Sequence, residues 1–370
     1  MLKTRKYRIF GGALALILVS VATVSYAQSS QHYKQTNLVS DMPGVAAVTD
    51  PNLVNAWGIS RSSTSPWWVS DNGTGLATLY SGTGSIVSLV VTIPPSDPAN
   101  PPGTPTGTIF NGGTGFELKP GFPAIFMFVT EDGTISGWNP KVDGTHAVIK
   151  VNTKGKSVFK GMTMATVNVP FLGPQSFLYV ADFRKGRVRI YDSKFHHVPE
   201  MEELFDDNSL PPGFAPFNVQ NIGGNIYVAF AQQDSDKHDE VDGAGLGYVD
   251  VFSPEGRLLR RLQHGPWFNA PWGMTMASSD FGSNSHDILV GQFGSGEILV
   301  FNSVTGRFKG RLLDTSDNPI KIDGLWGLGF GNDATAGPAT TLFFSAGPNH
   351  EQHGLFGTIT AVENVQGNDQ

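Results

Sequence analysis

Short apolar runs alternate with polar pairs and glycine turns along nearly the whole chain, a pattern that predicts strands throughout. A compact phrase opens each unit, an aromatic residue or Met beside Gly or Asn and then an apolar residue. It occurs as Asn55-Ala56-Trp57-Gly58-Ile59, Lys160-Gly161-Met162-Thr163-Met164, Ala215-Pro216-Phe217-Asn218-Val219, Ala270-Pro271-Trp272-Gly273-Met274 and Gly324-Leu325-Trp326-Gly327-Leu328. Successive units begin roughly 45 to 56 residues apart, the period of a propeller blade. A degenerate second unit is expected to open near Gly115-Phe116-Glu117-Leu118. After each opening an apolar run ends in a polar pair and a Gly turn, as in Trp67-Trp68-Val69-Ser70-Asp71-Asn72-Gly73. Runs this short, bounded by Asp-Gly or Asn-Gly, read as hairpins and not helices.

A third strand is plain in Tyr248-Val249-Asp250-Val251-Phe252, and the mixed character of residues 257–262 suits a fourth, outer one. The pattern therefore predicts an all-β, six-bladed β-propeller of four-stranded sheets, which leaves only short, protected edges. The last unit is one strand short, while residues 33–39 form an unassigned strand at the front. That strand is expected to complete the last blade and close the ring. Residues 94–107, with paired prolines and no apolar periodicity, read as a loop between the first two blades.

The first residues change the domain picture. Lys3, Arg5, Lys6 and Arg8, an apolar run to about residue 24 and the small-residue exit Ser25-Tyr26-Ala27 read as an export signal over residues 1–27. The apolar run, about 16 residues, is shorter than the ~20 a membrane span needs, so no stable span is expected after cleavage. Residues 28–362 are then a single propeller domain and residues 363–370 a disordered polar tail, in a protein that is secreted or periplasmic. With no cysteines, the exported chain must rely on core burial rather than disulfides. The net charge of -7, made more negative by loss of the basic signal, argues against nucleic acid and anionic membrane partners.

The phrase Tyr179-Val180-Ala181-Asp182 followed by Arg187-Val188-Arg189-Ile190-Tyr191 resembles an NHL-type propeller repeat. Residues 130–140, Asn269-Ala270-Pro271-Trp272-Gly273 and Ile322-Asp323-Gly324-Leu325-Trp326-Gly327 resemble an uncharacterised family of exported bacterial proteins. The resemblance runs over residues 33–362. It implies the fold and export, and it brings no catalytic residues with it.

Because successive strands of a blade are antiparallel, inner strands start on the face where second strands end. The starts supply Asn55, Lys160, Asn269 and Asp323; the ends supply Asp71, Asn72, Glu131, Asp132, Asp182, Gln233, Gln292 and Asn349. Polar groups converging on the mouth of an apolar-walled channel make a candidate binding site. Their oxygens suit Ca²⁺ or another divalent metal, with Asp182, Asp323 and His238 as candidate ligands. Each Asp or Asn at a strand end can equally bond its own turn, and that alternative stands beside the first.

Blade four carries a long insertion, Gln232-Gln233-Asp234-Ser235-Asp236-Lys237-His238-Asp239-Glu240-Val241-Asp242-Gly243, which adds Asp236 and His238 to the candidates. It is not an EF-hand, since the sixth position from Asp234 is Asp239 and not Gly. In the last blade His350-Glu351-Gln352-His353 is one residue short of the helical zinc motif; with His238 it could still contribute to a transition-metal site, against the alternative of exposed loop histidines. His196 and His197 are expected to meet only solvent, and Trp57, Trp272 and Trp326 to pack between blades. There is no Gly-x-Ser-x-Gly elbow, phosphate loop or dinucleotide motif. Two functions stay open: a monomeric binding or scaffold protein recognising a protein, glycan or small molecule through this face, and a metal-dependent hydrolase or lyase of the gluconolactonase-like kind, which the second reading would place on the same face.

Overall fold

The computed structural model describes residues 31–363, so the expected signal over 1–27 and the tail beyond residue 363 lie outside the described residues. The apolar runs form six small sheets. Their inner strands, Ala56–Ser60, Pro105–Phe110, Phe159–Val169, Phe214–Ile222, Pro271–Met276 and Leu325–Phe330, touch one another in cyclic order, the sixth returning to the first. This is a six-bladed propeller.

Glycine sets how tightly that ring closes. A Cβ on Gly58 would lie 2.5 Å from the Thr106 carbonyl oxygen of the next blade, and one on Gly273 would lie 2.3 Å from that of Trp326. Blade four instead carries Asn218, whose Nδ2 donates to the Trp272 carbonyl at 2.8 Å. The inner strands thus pack edge against edge, and the axis holds a cavity of only about 20 Å³. That is room for about one water, not the channel the blade count suggested.

The front strand, Tyr33–Ser40, pairs antiparallel with Leu355–Ala361 as the outer part of blade six, so both ends of the described chain join one sheet. Tyr33 also pins this closure to blade five. Its buried ring lies 4.7 Å from that of Phe281 and its hydroxyl donates to the Phe281 carbonyl at 3.0 Å. Among the described residues no helix is long and apolar enough to cross a membrane.

Two blades depart from the pattern read in the sequence. Blade two opens at Pro105–Phe110, partly inside the expected loop 94–107 and not near residues 115–118, where Glu117–Lys119 and Phe122–Pro123 form a separate hairpin instead. The strand is legible only in context. Its Thr106 and Thr108 are buried, and Thr106 Oγ1 donates to the Phe159 carbonyl at 2.7 Å, so polar side chains do the work of apolar ones. Blade three has three strands instead of four. Its open edge is finished locally: Val198 donates its N–H to the Ile190 carbonyl at 2.9 Å, and the buried Glu202 carboxylate accepts the Ile190 N–H at 3.1 Å. His197, expected in solvent, is half-buried and bonded to that Glu202.

Candidate functional site

On the face where the inner strands start, the blade-four insertion turns back toward the axis. Its short strand Glu240–Val241 pairs with Gln232 and Gln233 at the end of Asn225–Gln233, which positions His238, Asp239 and Glu240. Lys160, at the start of Phe159–Val169, is 1 % exposed. Its Nζ lies 2.6 Å from Glu131 Oε1, 3.0 Å from Asp239 Oδ1 and 5.1 Å from the centre of the Trp57 ring. Glu131 Oε2 accepts from Asn72 Nδ2 at 2.8 Å. Asn72 Oδ1 accepts from Asn55 Nδ2 at 3.2 Å, and the same Asn55 amide donates to Glu351 Oε2 at 2.6 Å. Asp239, Lys160, Glu131, Asn72, Asn55 and Glu351 therefore form one polar chain through blades four, three, two, one and six.

Tryptophans make the floor beneath it. Trp57 and Trp326 stack at 3.7 Å, Trp272 meets Trp326 edge-on at 5.8 Å, and Trp326 Nε1 donates to Asn55 Oδ1 at 3.0 Å. Blades one and five are not neighbours, yet Trp57 and Trp272 also meet, at 6.4 Å. These indoles therefore converge over the axis rather than filling the seams between blades. The Lys160 ammonium against Trp57 gains a cation–π contact in a largely dehydrated place.

Burial alone would depress the Lys160 pKa, but attraction to Glu131, Glu240 and Asp239 outweighs it and the net shift is upward. Burial pushes Glu240 up to about 8 despite the opposing pull of Lys160, leaving it a proton donor near neutrality. Glu351 is raised by burial and then by the charge of Glu131. The 2.9 Å bond between His238 Nδ1 and Asp239 Oδ1 raises the imidazole and holds Asp239 well below the usual carboxylate range. A protonated acid beside ionised ones can both donate to and accept from a ligand.

Glu131, His238 and Asp239 are the one group among the described residues whose ligand atoms, all within 4.8 Å of one another, could hold a metal ion. The donors are already committed. Both Glu131 oxygens are bonded, to Lys160 and Asn72, and Asp239 Oδ1 serves Lys160 and His238. The ammonium supplies the positive charge that a cation would bring, so this set does not fit a resident divalent ion while Lys160 stays in place.

Of the residues singled out in the sequence, the structure gathers Asn55, Asn72, Glu131, Lys160 and His238. The others stand apart. Asp71 and Asp182 are fully buried at hairpin ends, Asp182 Oδ1 accepting the Lys185 N–H at 3.1 Å. Asp132 accepts from Thr130 Oγ1 and from the Ser96 N–H, and Gln233 Nε2 donates to the Phe183 carbonyl. Asn269 takes the Gly243 N–H at 2.7 Å, while its own N–H goes to the buried Gln292 Oε1 at 2.8 Å. Asp323 accepts the Asn349 N–H at 2.8 Å, Asp236 is exposed, and His353 is bonded to Asp41. Asp182, Asp323 and His238 are thus not brought into one ligand set. Asp239, Glu240 and Glu351 are not among the residues the sequence singles out; the blade-four insertion that carries the first two and the His350-Glu351-Gln352-His353 loop that carries the third were the available signals.

No family model matches the chain. It is similar to two uncharacterised proteins of Acanthamoeba polyphaga mimivirus. One is 31 % identical over 340 residues, covering 88 % of this chain and 85 % of the relative. The other is 30 % identical over 340 residues, covering 88 % and 80 %. These relatives are viral rather than bacterial. Among solved structures, a streptogramin B lyase matches with a TM-score of 0.50 at 12 % identity, over 90 % of this chain and 98 % of the lyase. The soluble aldose sugar dehydrogenase of Escherichia coli matches with 0.54 at 10 % identity, over 89 % and 100 %. At such identity these two speak for the propeller fold alone. The relatives, by contrast, share sequence over most of their length, and the chain belongs to the same family as these two mimivirus proteins.

Proposed function

We propose that the chain is a binding protein whose recognition site is the acidic mouth over the tryptophan floor, taking a compact ligand rich in hydroxyl or amino donors, such as a sugar of a glycan. The observation that carries this reading is that Glu131 and Asp239 meet one buried ammonium and Glu351 joins them through Asn55 and Asn72, so that five blades share one polar chain. Asp239 is exposed at the rim and Glu131 and Glu351 are half-buried, which puts acceptors within reach of a ligand's donors, while the buried indoles close the floor beneath them. Glucosamine, glucose and glucuronate form a charge series that tests it by thermal shift and calorimetry. Binding should weaken in that order, and Glu131→Gln and Asp239→Asn should reduce the glucosamine preference. A preference for glucuronate would remove the proposal.

The metal-dependent hydrolase or lyase reading would require Lys160 to withdraw from Glu131 and Asp239. Metal analysis after purification without chelator decides between the two. Stoichiometric divalent metal that is lost in Asp239→Asn would replace the binding reading. We also propose that residues 1–27 direct export, on the strength of their charge and apolar pattern. The exported protein should then begin at Gln28 by mass, and an intact Met1 in the cytoplasmic fraction would refute this.

A further inference from the structure

At the other end of the axis, where the inner strands finish, all six blades line a funnel of about 350 Å³. The closed axis separates it from the acidic mouth. Its size is that of a small-molecule site. Arg61 is the one charged side chain that lines it, and no acid does. The Arg61 guanidinium donates to three backbone carbonyls, through Nε to Phe330 at 2.6 Å, Nη2 to Gly331 at 2.8 Å and Nη1 to Ser62 at 3.4 Å. Carbonyls do not neutralise it, and among the described residues no carboxylate forms an ion pair with it. Burial lowers its pKa and only Asp333, at a distance, works the other way. A guanidinium carries five N–H groups, so two remain for a ligand.

Two neutral side chains of the lining, Thr163 and Gln220, can donate as well. Thr163 Oγ1 already accepts the Asn221 N–H at 3.0 Å, which leaves its own hydroxyl proton to give. The Gln220 side chain makes no hydrogen bond among the described residues. Ile109, Phe110, Leu328 and Phe330 supply apolar wall. A half-desolvated cation, free donors and no acid within apolar walls are complementary to an anionic head on an apolar body.

We propose that this funnel is a second ligand site, separate from the acidic mouth, that takes a small organic anion with its carboxylate or phosphoryl head on Arg61 and its apolar part against the walls. Calorimetry on the full chain with benzoate, phenyl phosphate and the neutral benzyl alcohol tests it. Both anions should bind saturably, the alcohol at least about tenfold more weakly, and the tighter of the two anions identifies the head group. Arg61→Met should bring the anions down to the level of the alcohol. Arg61 also holds the Phe330 and Gly331 carbonyls, so its folding is checked by unfolding. Thr163→Val spares that clamp and should still weaken anion binding. Equal binding of alcohol and anions, no saturable binding at millimolar concentration, or unchanged affinity in folded Arg61→Met or in Thr163→Val would overturn the site. Glu131→Gln should leave anion binding unaltered, so this site and the acidic mouth fail independently.

Discussion

A lysine with 1 % of its surface exposed can stay charged only where carboxylates meet it, and Lys160 meets Glu131 and Asp239. Lys160→Met should therefore cost about 3–5 kcal/mol in urea unfolding, because it strands two acids rather than merely losing a contact. The same variant frees the Glu131, His238 and Asp239 donors. Millimolar Ca²⁺ should then stabilise it while leaving the parent unmoved; an equal response of both proteins would show that Lys160 does not stand in for a cation. The surrounding acids set the pH response. Glu240, raised from 4.5 to about 8 by burial, contributes stability in full below pH 4.5 and loses it as pH rises to about 8. Asp250, raised to about 6 by burial against the pull of Arg261, acts in the same direction. Thermal stability should fall between about pH 5 and pH 8, and Glu240→Gln should flatten the slope by roughly 1 kcal/mol, since Glu240 keeps some contact with solvent. A rising profile would contradict the assignment. Lys160 and Glu131 could be read in the sequence as strand-boundary residues on one face. Asp239 could not, because an insertion aims its side chains by folding back, which its spacing does not encode.

Strand elements were legible where one face is apolar and ends in a turn. They were missed where other groups replace that signal. In Pro105–Phe110 threonines are buried against neighbouring backbone, and at the edge of blade three the Glu202 side chain takes the place of a strand. The recurrent glycines of the inner strands are where sequence and packing meet. Gly273→Ala puts a methyl group 2.3 Å from the Trp326 carbonyl oxygen, fixed backbone that cannot yield locally. It should destabilise by about 1–3 kcal/mol or more by denaturant titration. Gly223, at φ 61° with open space around it, makes the comparison. Gly223→Ala should cost no more than the roughly 1–2 kcal/mol of a left-handed backbone. Equal, small losses would mean that the inner strands are not close-packed.

For the whole molecule, closure by Tyr33–Ser40 replaces the disulfides that a chain without cysteines cannot form. Tyr33→Ala removes a buried ring and the hydrogen bond to Phe281, and should cost roughly 3–5 kcal/mol. Truncation through Ser40 should expose the edge of Leu355–Ala361 and give aggregated or unfolded protein by size exclusion and circular dichroism. A folded monomer after that truncation would show that the ring does not need its closing strand. The blade count, the strand-rich class and the closing strand were all determined by the sequence, because period, turn chemistry and alternation are local properties that recur along a chain. Only the tertiary structure decided that the axis is shut, that three tryptophans meet over it, and that a buried ammonium sits between Glu131 and Asp239. Those facts depend on the distances between blades and on where the blade-four insertion folds back, and such distances are set by close packing around the ring rather than by any spacing along the chain.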